Sequence, residues 1–202
     1  MKNHIDNCIV SSITGTTKLN DKARTLEGMS SFKVRNFLNR LLEMPNSKYL
    51  EIGVWKGSTF YSALYKNKPQ YAVAIDNWSE FNGPKEDFAQ TVKSLETQFE
   101  FFCGDCFKID KALFKSRFNI YFYDGCHSEI AQEMALTYYY DALENEFIFI
   151  CDDWNAPEAQ TGTKKGIEKT GLKILNEWVL PARFNGDKEN WWNGLYIIHA
   201  SK

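Results

Sequence analysis

Short apolar runs alternate with helical stripes along almost the whole chain. Residues 1–20 are polar and irregular and read as a mobile arm. Ser30 or Ser31 can cap a helix that carries Val34, Phe37, Leu38, Leu41 and Leu42 on one stripe, and Pro45 ends it. A strand over 48–54 and a small helix over 58–66 follow, then a strand over 71–75. Gly83-Pro84 opens the next helix, with Phe88, Val92, Leu95 and Phe99 on one face. Further strands are expected over 101–103, 119–123 and 146–151. Between them lie a short helix near 109–114 and a Ser128-capped helix that runs to about 143. The spacing of Ile167, Gly171, Ile174, Leu175 and Trp178 predicts one more helix, and the chain closes with strands over 179–184 and 194–199.

These strands are apolar without clean alternation, which is how strands covered on both faces read. Strand–helix alternation implies right-handed crossovers and a parallel sheet. The last two strands have no helix between them and should pair as an antiparallel hairpin at an edge. The expected fold class is therefore α/β: helices on both faces of a seven-stranded, mostly parallel sheet, with an antiparallel C-terminal hairpin. No repeat or linker divides residues 21–202, so they read as one domain behind the arm at 1–20.

Composition narrows the function classes. The 202 residues carry 24 Lys and Arg against 26 Asp and Glu, a formal charge of -2, so no net basic field exists to hold nucleic acid. No stretch has the length and apolarity of a signal peptide or a membrane span, which predicts a cytoplasmic chain without membrane partners. The five cysteines (Cys8, Cys103, Cys106, Cys126 and Cys151) are odd in number and loosely spaced, so a disulfide framework is not expected. Cys103 and Cys106 form a C-x-x-C, but no second ligand pair at zinc spacing accompanies them. Aromatics are abundant (15 Phe, 10 Tyr and 6 Trp), more than one domain of this size needs for its core.

Ligands of open parallel sheets bind beyond the carboxyl ends of the strands. All five crossover strands bring an acid there: Glu51, Asp76, Asp105, Asp124 and the pair Asp152-Asp153. The first turn reads Glu51-Ile52-Gly53-Val54-Trp55-Lys56-Gly57-Ser58-Thr59, an E-x-G-x-x-x-G pattern. An acid beside such a turn repels phosphate and attracts an ammonium or sulfonium group, and Asp76 can take both hydroxyls of a ribose. That combination suits an adenosyl ligand with a cationic amino-acid tail. A tight strand–helix turn is the plainer alternative.

With these motifs the chain resembles the class I S-adenosylmethionine-dependent methyltransferases over about residues 25 to 200, including the antiparallel pair at the end. The resemblance implies a three-layer Rossmann-like sandwich. It also implies that Glu51, Gly53, Trp55, Gly57 and Thr59 line the methionine end of S-adenosylmethionine, that Asp76 holds the ribose and that Asp105 lies near the adenine. Asp124 in Tyr123-Asp124-Gly125-Cys126-His127 and Asp152-Asp153 before Trp154 resemble the metal-binding acids of the metal-dependent O-methyltransferases. The likeness is nearer the macrocin type, which acts on sugars, than the catechol and caffeoyl-CoA type. Glu27-Gly28-Met29-Ser30 is similar to the segment that closes over the cofactor in those enzymes.

Three converging carboxylates are costly unless a cation sits among them, and oxygen ligands select a hard ion such as Mg²⁺. Asp124, Asp152 and Asp153 are the expected ligands. His127, which titrates near neutrality, is the expected catalytic base for a hydroxyl on a small sugar, polyol or phenol. Each has a plainer reading: Asp124 a helix cap, His127 an exposed first-turn residue, Asp152-Asp153 a solvated loop. Trp154, Trp191 and Trp192 either face the acceptor or form a lid or a contact between the two copies of a homodimer. Two alternatives to the methyltransferase remain: an adenosyl-binding module without transfer, and a related enzyme that hydroxylates or otherwise modifies a sugar.

Overall fold

Strand β1 (Lys48–Ile52) occupies the centre of the sheet, hydrogen-bonded in parallel to β2 (Tyr71–Asp76) on one side and β4 (Phe118–Tyr123) on the other. The computed structural model describes residues 1–82 and 85–202. Strand β3 (Glu100–Cys103) extends the sheet beyond β2, and β5 (Leu143–Cys151) pairs in parallel with β4. The last two strands, β6 (Lys173–Leu180) and β7 (Leu195–Ser201), are antiparallel to each other, and β7 is antiparallel to β5. The order is β3-β2-β1-β4-β5-β7-β6, as the α/β reading requires. The direction of strand addition reverses between β1 and β4, the point at which open α/β sheets form their ligand crevice.

Alternate residues of the central strands enter opposite cores. Tyr49, Phe122, Ile148 and Ile150 pack beneath α1 (Lys2–Thr14), α3 (Phe32–Leu41), α4 (Ser58–Leu64) and α5 (Lys85–Val92). Leu50, Ile52, Tyr121 and Phe149 pack beneath α6 (Glu129–Tyr139) and α7 (Pro157–Thr170). Two covered faces explain why the strands read as continuous apolar runs. Helix starts follow their capping residues. Ser31 accepts from the Val34 N–H and Ser128 from the Ala131 N–H, while Asn20 caps the short α2 (Asp21–Thr25).

Three expectations are corrected. Residues 2–14 are not an irregular arm but a helix packed on α3. Ile5, Cys8 and Ser12 form its narrow buried stripe, and Trp178 of β6 donates to Asp6. The expected helix through Ile174 and Trp178 is strand β6. The helix that precedes it, α7, lies earlier, from Pro157 to a left-handed Gly171 cap. Its buried residues are Ala159, Gly162, Thr163 and Gly166, so it packs by being thin. A Cβ at Gly162 would stand 2.2 Å from the Glu129 carbonyl of α6. Finally, the short helix expected over 109–114 is two 3-10 turns, Cys106–Lys108 and Lys111–Leu113. The expected Gly83-Pro84 helix start lies outside the described residues.

Candidate active site

A cavity of about 720 Å³ opens at the carboxyl edge of β1, β2, β4 and β5, between their loops and the segment that joins β6 to β7. At its centre β1 and β4 turn away from the sheet almost in contact. Gly53 has φ 84, and a Cβ there would stand 1.8 Å from the Asp124 carbonyl oxygen. Glycine is the residue that tolerates both constraints.

The five strand ends behave differently from one another. Glu51 is fully buried behind the wall and does not line the cavity. It accepts from the Tyr49 hydroxyl at 2.5 Å and from the Thr59 hydroxyl at 2.5 Å. Burial pushes its carboxyl up to about 7, against the pull of those two hydrogen bonds, and the charge of Asp76 adds to the rise. Asp76 accepts the Trp55 N–H on one oxygen (2.8 Å) and the Trp78 N–H on the other (2.7 Å). Trp55 and Trp78 both sit at positive φ, 41 and 49. The carboxylate thus holds two non-glycine residues in a conformation they rarely adopt. Each oxygen keeps a second lone pair for a ligand hydroxyl. Asp105 is exposed, caps the 3-10 turn through the Phe107 N–H and pairs with Lys108 at 3.0 Å. Hydrogen bonds from Lys108 and from that N–H hold its carboxyl below the usual carboxylate range.

Of the residues expected around the methionine end, Gly53, Trp55 and Thr59 line the cavity. Gly57 does not. It caps α4 at φ 82 and packs against the ring of Phe88. Met29, from the segment similar to a cofactor cover, does line the cavity. Lys56 draws that segment in through Glu27 at 2.8 Å, and Arg35 holds it through the Leu26 carbonyl and the Ser30 hydroxyl, each at 2.9 Å.

At the other end, Asp124, Asp152 and Asp153 meet. His127 Nε2 lies 2.6 Å from Asp153 Oδ2 and 3.9 Å from Asp124 Oδ1. Asp124, His127 and Asp153 each offer a ligand atom within 4.8 Å of the others, a set able to hold a metal ion. Asp152, expected as a third ligand, is outside that set. It is buried at 2 % exposure, lines the cavity and has an Oδ1 without a hydrogen-bond partner. Burial is the largest cause lifting the Asp152 carboxyl to about 8, and Asp153 adds to it. Burial and the neighbouring Asp152, Asp153 and Glu51 charges hold Asp124 well above the usual carboxylate range. Burial lowers the affinity of His127 for its proton, but the Asp153 hydrogen bond and the surrounding carboxylates leave it raised overall.

One residue that sequence reasoning did not reach completes this end. Asn193, in the β6–β7 segment, donates to Asp153 Oδ1 and accepts the Gly186 N–H at 2.7 Å. Buried Asp187 holds the same segment through Arg183 and Asn190 and through the backbone of Trp192. No local pattern marks Asn193, because its partner is 40 residues away. Of the three loop tryptophans, only Trp192 reaches the cavity. Trp154 is stacked on Tyr196 with ring centroids 4.1 Å apart, and Trp191 is buried edge-on to Phe37. All five cysteines are free; Cys8 and Cys151 are buried, and Cys103 and Cys126 are exposed.

The sheet order, the reversed last strand and an acid-lined crevice at the β1–β4 switch define the class I S-adenosylmethionine-dependent methyltransferase fold. Residues 50–154, just over half of the chain, match the family model described as a methyltransferase domain, and the chain belongs to that family. Solved structures agree on the fold. The O-methyltransferase TomG from Streptomyces achromogenes, involved in tomaymycin synthesis and solved with S-adenosylmethionine, shares 15% identity over 97% of this chain and 96% of its own, with a TM-score of 0.67. An O-methyltransferase from Bacillus cereus in complex with S-adenosylhomocysteine shares 11% identity over 99% and 91%, with a TM-score of 0.64. The S-adenosylhomocysteine-bound methyltransferase PaMTH1 from Podospora anserina shares 14% identity over 100% and 97%, with a TM-score of 0.63. No curated protein sequence matches the chain. Among the described residues no helix is long and apolar enough to cross a membrane.

Proposed function

We propose that this methyltransferase transfers the methyl group of S-adenosylmethionine to a hydroxyl of a small acceptor, with a hard divalent cation at Asp124 and Asp153 and with His127 as the base. The observation that carries the reading is the meeting of Asp124, His127 and Asp153 at one end of the cavity, opposite the Asp76 end. Similarity in fold to structures solved with S-adenosylmethionine or S-adenosylhomocysteine supports the cofactor. Asp76 would take the ribose hydroxyls on its free lone pairs, and Asp105 lies on the side expected for adenine. Gly53, Trp55 and Thr59 would surround the amino-acid tail.

The donor set suits a hard cation. Two carboxylates converge beside the His127 imidazole, and the buried Oδ1 of Asp152 next to them has no hydrogen-bond partner on the protein. A divalent ion bound there would neutralise these acids, hold the acceptor hydroxyl and make it more acidic. The protein's own part is then simple. His127 Nε2, which faces Asp124 and Asp153, takes the hydroxyl proton, while its Nδ1 lies 3.5 Å from the Gln132 amide. Asn193 keeps Asp153 in place. The fixed walls bring the oxygen and the sulfonium methyl to reacting distance.

Calorimetry with S-adenosylmethionine should show binding, and none at millimolar ligand would sink the reading. Transfer should stop in EDTA and return with Mg²⁺; transfer that persists in EDTA removes the ion from the scheme and leaves the His127 base alone.

A further inference from the structure

The charge lining the cavity restricts the acceptor further, if the methyltransferase reading holds. The described lining residues supply six carboxylates, those of Asp76, Glu80, Asp105, Asp124, Asp152 and Asp153, and the imidazole of His127, but no Lys or Arg. Two basic side chains on the adjoining loops are already paired. Lys56, next to Trp55, lies 2.8 Å from Glu27 and 3.3 Å from Asp87, and Lys108 lies 3.0 Å from Asp105. A divalent ion and a sulfonium would offset some of the acids, yet none of the described lining residues is a Lys or Arg that could hold an anionic acceptor.

Two further features point the same way. Asp152 is buried with one carboxylate oxygen unpartnered at the lining, an acceptor that no donor on the protein occupies. The acids also adjoin exposed aromatic faces. Trp55 and Phe81 meet edge to face at 5.9 Å, Phe81 is 58 % exposed, and half-buried Trp192 completes the lining. Lys56 Nζ already lies 5.0 Å from the Trp55 ring, so the open ring of the pair is that of Phe81, and a carboxylate beside it suits an ammonium group, which gains from both. Glu80 is exposed and lines the same cavity as His127.

We propose that the acceptor is a hydroxyl compound bearing an amine, and that Glu80 with the exposed Phe81 ring selects it over carboxylated and phosphorylated compounds. Nucleotide-linked sugars and acyl-CoA esters are then disfavoured as acceptors, because their phosphates meet carboxylates and no Lys or Arg among the described lining residues.

Three probes that share one reacting ring separate charge from shape: dopamine, 4-methylcatechol and 3,4-dihydroxybenzoate. Each is titrated calorimetrically into the full chain with saturating S-adenosylhomocysteine and Mg²⁺. The ion meets the same two hydroxyls in each, so differences report the side group. Dopamine should bind tightest and dihydroxybenzoate weakest, with about tenfold between them, equivalent to about 1.4 kcal/mol. E80Q should narrow that gap about threefold, the effect of one solvent-exposed charge. Dihydroxybenzoate binding as well as dopamine overturns the proposal, as does any set of three equal affinities, undetectable binding included. A gap that E80Q leaves unchanged removes Glu80 from the selection. The S-adenosylhomocysteine titration is read separately: its failure defeats the cofactor reading, whereas its success with a reversed charge order defeats only the amine.

Discussion

The two halves of the crevice hold acids of the same kind in opposite condition. On the β1–β2 side, Glu51 receives two hydroxyl hydrogen bonds and Asp76 two backbone N–H groups. Those acids are built into the wall and order it, and Asp76 keeps spare lone pairs for a ligand. On the β4–β5 side, Asp124, Asp152 and Asp153 face one another, and their partners are few. Asp153 has His127 and Asn193, while Asp152 keeps a buried oxygen with none. An acid satisfied within the protein can be explained by the fold. Acids that repel each other in a buried place stay protonated unless a cation comes among them, as the raised Asp124 and Asp152 carboxyls show. The comparison therefore separates a binding half from a reacting half without reference to any bound molecule.

The sharpest way to break this division is at His127. H127A should lower kcat by about 10²–10⁴-fold, the usual weight of a positioned base, and leave S-adenosylhomocysteine affinity unchanged. Single-turnover rates and calorimetry on the same sample decide it; lost cofactor affinity would place His127 in the binding half. Next in size is Gly53, where the halves touch. G53A puts a Cβ 1.8 Å from the Asp124 carbonyl at a φ of 84. Strain and overlap together should cost about 4 kcal/mol. For a chain of this length that is a fall in Tm of roughly 8–16 °C. A melt within two or three degrees of wild type would show that the two turns can move apart.

The binding half has its own test in pH. Glu51 has its folded value pushed up to about 7, above the 4.5 of an ordinary glutamic acid. Its protonated form is the favoured one. The stability it contributes is complete below 4.5 and disappears as pH rises through 7, about 3 kcal/mol at most. E51Q cannot ionise, so its Tm should fall less between pH 5 and pH 8 than that of the wild type. Parallel curves would mean that the two hydroxyls already stabilise the carboxylate, and that Glu51 is charged throughout.

Legibility in the sequence follows the same physics. Strands β1, β2, β4 and the second half of β5 were readable because both their faces are covered, so their buried positions form mostly apolar runs. Helix α7 was not, because Gly162 and Gly166 let it lie against α6 with no large side chain to mark a stripe. The helical spacing of Ile174, Leu175 and Trp178 then misled, although those residues belong to an edge strand. Helix α1 was hidden by the narrowness of its buried stripe. In the site, acids at strand ends could be placed because topology puts them there. Which acids are satisfied could not, since Thr59, Trp78 and Asn193 reach them by folding. The tryptophans of the loops divide for the same reason: Trp154 and Trp191 found rings to pack on, and Trp192 did not.

Asp105 gives the smallest effect and the finest test of the comparison. It is exposed, its cap serves a single 3-10 turn, and its ion pair with Lys108 is solvated. Neither contact is worth much in water, so D105A should cost about 1 kcal/mol of stability or less. If Asp105 belongs to the binding half, the same substitution should weaken S-adenosylhomocysteine about three- to fivefold, the worth of one exposed hydrogen bond. The single-turnover rate at saturating cofactor should stay unchanged, because the partners of Asp105 are the Phe107 N–H and Lys108, not His127 or the acids around it. A slowed rate with unaltered affinity would contradict the division at its weakest residue. A cofactor affinity that does not move at all would leave Asp105 as a cap alone and would shift the adenine toward the half-buried Phe107 ring beside it.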